Sequence, residues 1–191
     1  PYFKVVSIDK DLTFKPRFYM ENNDLILQSE FRQAFENSFL ISDFSYNKDG
    51  GSTNSHFFSK IEGKIDEESD YSIQFQTVSN DNYLKLNNMS TSSLLIKNES
   101  ILRNEVSFNK NVEDDFKFNS NAIIFEDLSK KDTDKYQYIF PSYDFQKKIP
   151  LPSDYNGSFQ FYSSGFQKNY DTNIYETSVN NDFLYTSNDY I

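Results

Sequence analysis

The stretch Asp70-Tyr71-Ser72-Ile73-Gln74-Phe75-Gln76-Thr77-Val78 alternates strictly in character. Successive side chains of an extended chain point to opposite faces. Tyr71, Ile73, Phe75 and Thr77 therefore share one face, and Ser72, Gln74 and Gln76 the other. A period of two over nine residues reads as a β-strand with one greasy side and one wet side. The same rhythm recurs along the chain. Leu25, Leu27 and Phe31 oppose Gln28, Glu30 and Arg32, and Phe57, Ile61 and Ile65 oppose His56, Lys60, Glu62 and Lys64. Leu102, Val106 and Phe108 oppose Arg103, Glu105, Ser107 and Asn109; Phe116 and Phe118 oppose Lys117, Asn119 and Asn121; Phe159 and Phe161 flank Gln160. No helical stripe competes.

Turn-forming residues punctuate these runs at Glu21-Asn22-Asn23-Asp24, Phe35-Glu36-Asn37, Lys48-Asp49-Gly50-Gly51, Asp66-Glu67-Glu68-Ser69 and Glu113-Asp114-Asp115, as the chemistry of tight connections requires. Longer polar loops are expected near 79–100, 127–135 and 163–172. The pattern predicts about ten antiparallel strands in a meander, at 11–20, 25–34, 37–46, 54–65, 70–79, 101–111, 115–127, 136–147, 156–163 and 173–186. The fold class expected is all-β, with residues 1–191 forming a single unit.

Composition narrows the class. Aromatics make up 18% of the 191 residues, as 20 Phe and 14 Tyr, while the mean hydropathy is only -0.73. Disordered chains are poor in aromatics, whereas two-faced strands use them heavily. A net charge of -10 leaves no basic patch to neutralise phosphates, which argues against nucleic acid as a partner. The absence of cysteine excludes a disulfide framework and any thiolate metal site. No run reaches the roughly 20 apolar residues of a membrane-spanning helix, but a barrel strand needs only about 9–11 alternating residues. The sequence begins at Pro1 without an initiator Met and stops mid-pattern at Asp189-Tyr190-Ile191, so it reads as a piece of a longer protein.

Alternation alone leaves two architectures. A soluble sandwich buries its greasy faces against each other, whereas a membrane barrel turns them to lipid and keeps polar groups inside. Alternating short and long connections favour the barrel.

Several motifs, in order along the chain, carry a family resemblance. Asp70 to Leu84 is similar to a strand-plus-loop of the LPS-assembly protein LptD family, in which an aromatic strand runs into a Val-Ser-Asp-x-x-Tyr-type loop. The matching positions are Ser79, Asp81, Tyr83 and Leu84, with Asn80 where that family often has Asp. Pro1-Tyr2-Phe3 followed by Asp11-Leu12-Thr13-Phe14-Lys15-Pro16-Arg17 resembles the family's first barrel strand, and Ser29-Glu30-Phe31-Arg32 its second. Phe125-Glu126-Asp127-Leu128 and Phe140-Pro141-Ser142-Tyr143-Asp144-Phe145 resemble later strands. Lys4 to Asp9 departs from the family by lacking its Asn-Ile-Ala-Pro-Asn run.

The resemblance implies a partial transmembrane β-barrel in the cell outer membrane of Gram-negative bacteria. It implies lipopolysaccharide as cargo, released through a lateral seam, and no catalysis. Implied partners are an LptE-like lipoprotein plug, a periplasmic LptA-like bridge reached through a jelly-roll domain, and outer-membrane lipid. Pro16 is then the gate candidate, because proline cannot donate a ladder hydrogen bond and weakens the pairing of its strand. Asp11, Lys15, Arg17, Gln28, Glu30, Arg32, Lys60, Glu62 and Lys64 form the expected lumen-facing set, able to contact cargo or plug. Phe14, Phe18, Phe31, Phe57, Tyr71 and Phe75 are expected to face lipid. Another outer-membrane barrel (porin or receptor) and a soluble, secreted glycan-binding β-sandwich are the alternatives.

Catalytic chemistry has no distinctive signature. His56 is the sole histidine, and the carboxylate clusters at Glu67-Glu68 and Glu113-Asp114-Asp115 fall in turns, where solvation explains them. No EF-hand, phosphate-binding or dinucleotide-binding spacing occurs. No cofactor is expected.

Overall fold

The computed structural model describes residues 1–19, 24–49, 52–89, 93–131, 133–152 and 156–187. Its elements are β1 (Tyr2–Ser7), β2 (Lys10–Tyr19), β3 (Asp24–Ala34), β4 (Ser38–Asp49), β5 (Ser52–Lys64), β6 (Ser69–Val78), a one-turn helix α1 (Tyr83–Leu86), β7 (Ile101–Val112), β8 (Phe116–Asp127), β9 (Tyr136–Ile149), β10 (Ser158–Tyr170) and β11 (Tyr175–Thr186). Each strand pairs antiparallel with its chain neighbour, giving one sheet in the order β1 to β11. The sheet is open, with β1 and β11 as its edges. Among the described residues no helix is long and apolar enough to cross a membrane, which leaves strands untouched.

Register fixes the faces. Asp11 pairs with Arg32, Lys15 with Gln28, Glu30 with Asp43, Ser45 with His56, and Lys60 with Gln74. Directly opposed residues share a face, so these groups lie on one face across β2–β6, with Ile26, Ile41 and Phe58 among them. The other surface carries Phe14, Phe18, Phe31, Phe44, Phe57, Ile73, Phe75 and Val106. A one-residue slip in any ladder would exchange the two sets.

On the apolar face two glycines sit directly opposite tyrosines, Gly63 opposite Tyr71 and Gly165 opposite Tyr143. A Cβ on Gly63 would lie 2.7 Å from Ser38 Cβ, 2.8 Å from Tyr71 Cε1 and 2.9 Å from the Asn37 carbonyl oxygen. The ring lies over the bare backbone and supplies the packing that glycine lacks. Gly63→Ala is expected to cost about 1–3 kcal/mol by overpacking, read as a lowered unfolding midpoint; an unchanged midpoint would show that the neighbours yield freely.

Several expected boundaries differ from the observed ones. Residues 2–7 form a strand of their own, so the described residues form eleven strands, and the segment expected to open the sheet is its second. Val5-Val6 breaks the period-two pattern, which hid β1. Residues 163–170, expected as loop, continue β10 because Ser163 to Gly165 pair on both sides, with Phe145 to Tyr143 and with Asn181 to Val179. Polar residues on both faces of Gln167-Lys168-Asn169 masked the strand. Connections also alternate less cleanly than expected: 79–100 and 128–135 leave one end of the sheet, but the connection between β9 and β10 leaves the other. Of the expected turns, residues 21–23 and 50–51 lie outside the described residues.

The connection between β6 and β7 turns inward over the polar face. Tyr83, Leu84, Met89 and Ile96 from this segment pack with Phe58, Leu102 and Leu128 to form the one apolar cluster among the described residues. Full burial of a side chain such as Leu84 contributes about 1.5–3 kcal/mol, so the segment is anchored rather than loose. β6 and β7 part beneath it. Their last rung is Gln74 with Glu105, and beyond it side chains replace the ladder: Gln76 N donates to Asn104 Oδ1 at 2.6 Å and Arg103 N donates to Gln76 Oε1 at 2.7 Å.

Candidate functional site

The polar face carries a buried network that runs across three strands into the inturned segment. Gln28 on β3 donates its Nε2 to both carboxylate oxygens of Asp43 on β4, each at 3.1 Å. Asp43 Oδ1 also accepts from His56 Nε2 on β5 at 2.5 Å. His56 Nδ1 lies 2.5 Å from Ser45 Oγ, and Ser45 Oγ lies 2.8 Å from the Tyr83 hydroxyl. Once Nε2–H donates to Asp43, Nδ1 is free to accept from Ser45, and Ser45 to accept from Tyr83. Each of these side chains is almost wholly buried, which is tolerated because each has partners. Burial raises the Tyr83 pKa, opposed by the Ser45 hydrogen bond, and the neutral phenol this favours retains its donor proton.

Alternation and register together account for this assembly. Asp43 and Ser45 are two apart on β4 and therefore share a face, while His56 is the direct partner of Ser45. Tyr83 arrives from α1, where Tyr83 and Leu84 point inward. Tyr83→Phe is expected to remove only the hydroxyl contact and cost about 1 kcal/mol. Faster amide exchange confined to residues 83–89 would register it; no change there would show that Leu84 and Met89 alone hold the segment.

A second cluster surrounds Glu30, which is 1% exposed. Lys15 Nζ lies 3.1 Å from Glu30 Oε2, and two nitrogens of Arg32 lie 2.6 and 2.7 Å from Glu30 Oε1. Arg32 also stands 4.0 Å from Asp11. Glu30 and Asp43 are direct cross-strand partners, and the two cations compensate the charge of Glu30 beside that second carboxylate. Arg17 donates to the Asn87 carbonyl oxygen at 2.9 Å, tying β2 to the inturned segment. Lys60 pairs with Glu62, and Lys64 lies on the same face at the sheet's other end.

All nine residues of the expected polar set thus share one face. Asp11, Lys15, Arg17, Gln28, Glu30 and Arg32 form a connected patch on β2 and β3, while Lys60, Glu62 and Lys64 stand apart on β5. Pro16 lies on the opposite face, paired with Leu27, two residues beyond the last β1–β2 rung at Tyr2 and Phe14. Of the expected loop motif, Ser79 accepts from the Ser55 amide at 2.7 Å and Tyr83 closes the buried network. Asp81 pairs with Lys135 at 3.0 Å, and Lys135 also reaches Glu126 at 3.1 Å. Burial disfavours the Lys135 charge, but the hydrogen bonds that Lys135 donates to Asp81 and Glu126 outweigh it and raise the pKa. This contribution is therefore present below the usual lysine value and lost only as pH rises through the higher folded value.

The Asp43, His56 and Ser45 contacts reproduce the order carboxylate, imidazole, hydroxyl that activates serine nucleophiles. The surroundings differ from a catalytic site. Ser45 is fully buried and Tyr83 occupies the free side of its hydroxyl, so no substrate carbonyl has an approach path in this arrangement. Sequence reading placed His56 on the polar face but did not align it with Asp43 and Ser45; alternation fixes faces, and only register brings the three together. No group of three or more potential metal ligands occurs among the described residues.

The two faces differ in burial: beneath the inturned segment polar groups are buried beside Ile26 and Phe58, while the opposite face leaves large apolar groups bare. Gln28, Asp43 and Ser45 are 0% exposed, whereas Phe75 is 48%, Val106 53% and Phe18 62% exposed. An apolar groove of about 400 Å³ runs over the same outer surface, between Phe75, Val106, Ile124 and Phe140. Neither protein-family models nor curated protein sequences give a match to the chain.

Proposed function

We propose that this chain supplies the opening strands of an outer-membrane β-barrel that carries lipopolysaccharide to the outer leaflet, in the manner of the LptD family that its motifs resemble. The observation that carries the membrane part is the contrast between the two faces: charged and amide side chains are buried beneath an inturned segment, while many aromatic and aliphatic side chains of the other face are left bare. Water would penalise that surface at about 25 cal/mol per Å², whereas lipid would not. A soluble sandwich would cover the aromatic face instead, so the glycan-binding alternative is disfavoured.

The lipopolysaccharide part rests on the ordered motifs, and the geometry gives two of them physical work. Tyr83 and Leu84 of the loop motif fix the inturned segment, and Glu30 and Arg32 of the second-strand motif build the buried ion cluster. In this reading the polar face lines a lumen open to cargo and to an LptE-like plug, and β1 and β11 pair with further strands, since an open edge is untenable in lipid. In this reading Pro16, on β2 just past the end of the β1–β2 ladder, is the gate candidate because it lacks a ladder donor.

Depleting the protein from its own cells tests this function. Lipopolysaccharide is expected to vanish from the cell surface while small-solute permeability through existing porins persists. Unchanged surface lipopolysaccharide together with lost uptake of one solute would overturn the reading in favour of a porin or receptor.

A further inference from the structure

We propose that the cavity between the inturned segment and β5–β8 is a binding site for a single-chain amphiphile with an anionic head. The inference is independent of the lipopolysaccharide reading, because it uses only the chemistry of the cavity wall. The cavity measures about 500 Å³, within the roughly 300–1,000 Å³ of sites that hold one small ligand. That volume takes one head and one chain; it does not enclose a lipid with several chains.

The wall has two kinds of surface. Lys60, Lys97 and Arg103 line it, and among the described residues no Asp or Glu does, in a chain whose net charge is -10. Glu62 and Glu105 pair with Lys60 and Arg103 from outside the cavity, while Lys97 engages no carboxylate among the described residues. Leu94, Leu95 and Phe125 supply the apolar part. Leu94 is 69% exposed, an aliphatic side chain bared beside a cation on the same segment.

The wall is also held in place. Gln76 donates to the Leu95 carbonyl oxygen at 3.3 Å and accepts from the Arg103 amide at 2.7 Å. Gln74 donates to the Arg103 carbonyl oxygen at 3.1 Å. One strand thereby fixes both the apolar lip and the cationic wall, which limits the ordering cost of binding. A bare inorganic anion would leave Leu94 and Leu95 in water, and a neutral amphiphile would leave Lys97 without a counter-charge. Only a ligand with both parts matches both surfaces.

The test titrates the protein, held in amphipol so that no free detergent competes, by calorimetry with three probes: dodecyl phosphate, dodecyl maltoside and inorganic phosphate. Dodecyl phosphate is expected to saturate one site at least tenfold more tightly than either other probe. Lys97→Gln with Arg103→Gln should weaken it at least tenfold. Leu94→Ser should reduce the advantage of dodecyl over octyl phosphate; both Leu94 and Lys97 are exposed, so these variants keep the fold. Equal affinity for dodecyl maltoside, unchanged affinity in the double variant, or uptake that never saturates would each overturn the site. None of these readouts involves lipopolysaccharide transport, so this proposal and the functional one fail separately.

Discussion

Asp43→Ala is expected to destabilise the folded chain by about 2–6 kcal/mol, because stranding buried donors costs about 1–3 kcal/mol each. Asp43 accepts from both Gln28 and His56, and neither donor has another described partner or a route to solvent. The loss should spread beyond β4. His56 holds Ser45, Ser45 holds Tyr83, and Tyr83 anchors the inturned segment, so amide protection over residues 83–89 should fall together with the global unfolding midpoint. Asp43→Asn retains one carbonyl acceptor and should cost less than half as much. Urea unfolding of the two variants in detergent, followed by far-UV circular dichroism, separates them. Equal midpoints for Asp43→Ala and the unmodified protein would show that the network carries no stability.

The second large effect concerns Glu30, and its sign is diagnostic. Replacing both Lys15 and Arg32 with Ala leaves a carboxylate that is 1% exposed without a counter-ion and directly opposite Asp43. Removing the partners of a buried charge costs about 3–5 kcal/mol. Glu30→Ala should cost less, under about 2 kcal/mol, because the Lys15 and Arg32 side chains are 24% and 38% exposed and can turn to water. The ordering is the test: the double cation variant must be the less stable one. If Glu30→Ala proves worse, the cluster acts by packing rather than by charge compensation.

Much of the architecture was legible in the sequence because one physical signal dominates it. Alternation at Tyr71 to Thr77 and at Leu25 to Arg32 fixes strand identity and face, and register inherits both. Failures occurred where that signal lapses. Val5-Val6 hid β1, and the two-sided polarity of Gln167 to Asn169 disguised the end of β10. The inturned segment was expected only as a loop. Its inward course depends on Leu84, Met89 and Ile96 meeting Phe58 and Leu128, contacts between residues far apart in the chain that no local pattern encodes. The same limit applies to the buried network. Asp43, Ser45 and His56 were each placeable on a face, but their union needs the pairing of Ser45 with His56, which depends on the length of the turn between β4 and β5.

The bare aromatic face calls for lipid whatever the cargo, so the membrane reading and the lipopolysaccharide reading stand on separate supports. The first is the more basic, because a lumen, a plug and a lateral seam have no meaning unless the aromatic face meets lipid.

The most direct test of that face is a cysteine scan along β6. The chain contains no cysteine, so a spin label placed singly at each of positions 71 to 77 reports only its own site. With the protein reconstituted in lipid vesicles, collision with oxygen, which partitions into lipid, is compared with collision with a water-soluble nickel chelate. Lipid-facing β6 requires oxygen maxima at positions 71, 73, 75 and 77 and nickel maxima at 72, 74 and 76, a period of two locked to the sequence. Uniform nickel access at all seven positions, or a protein that stays monomeric and folded in buffer without lipid or detergent, would contradict it.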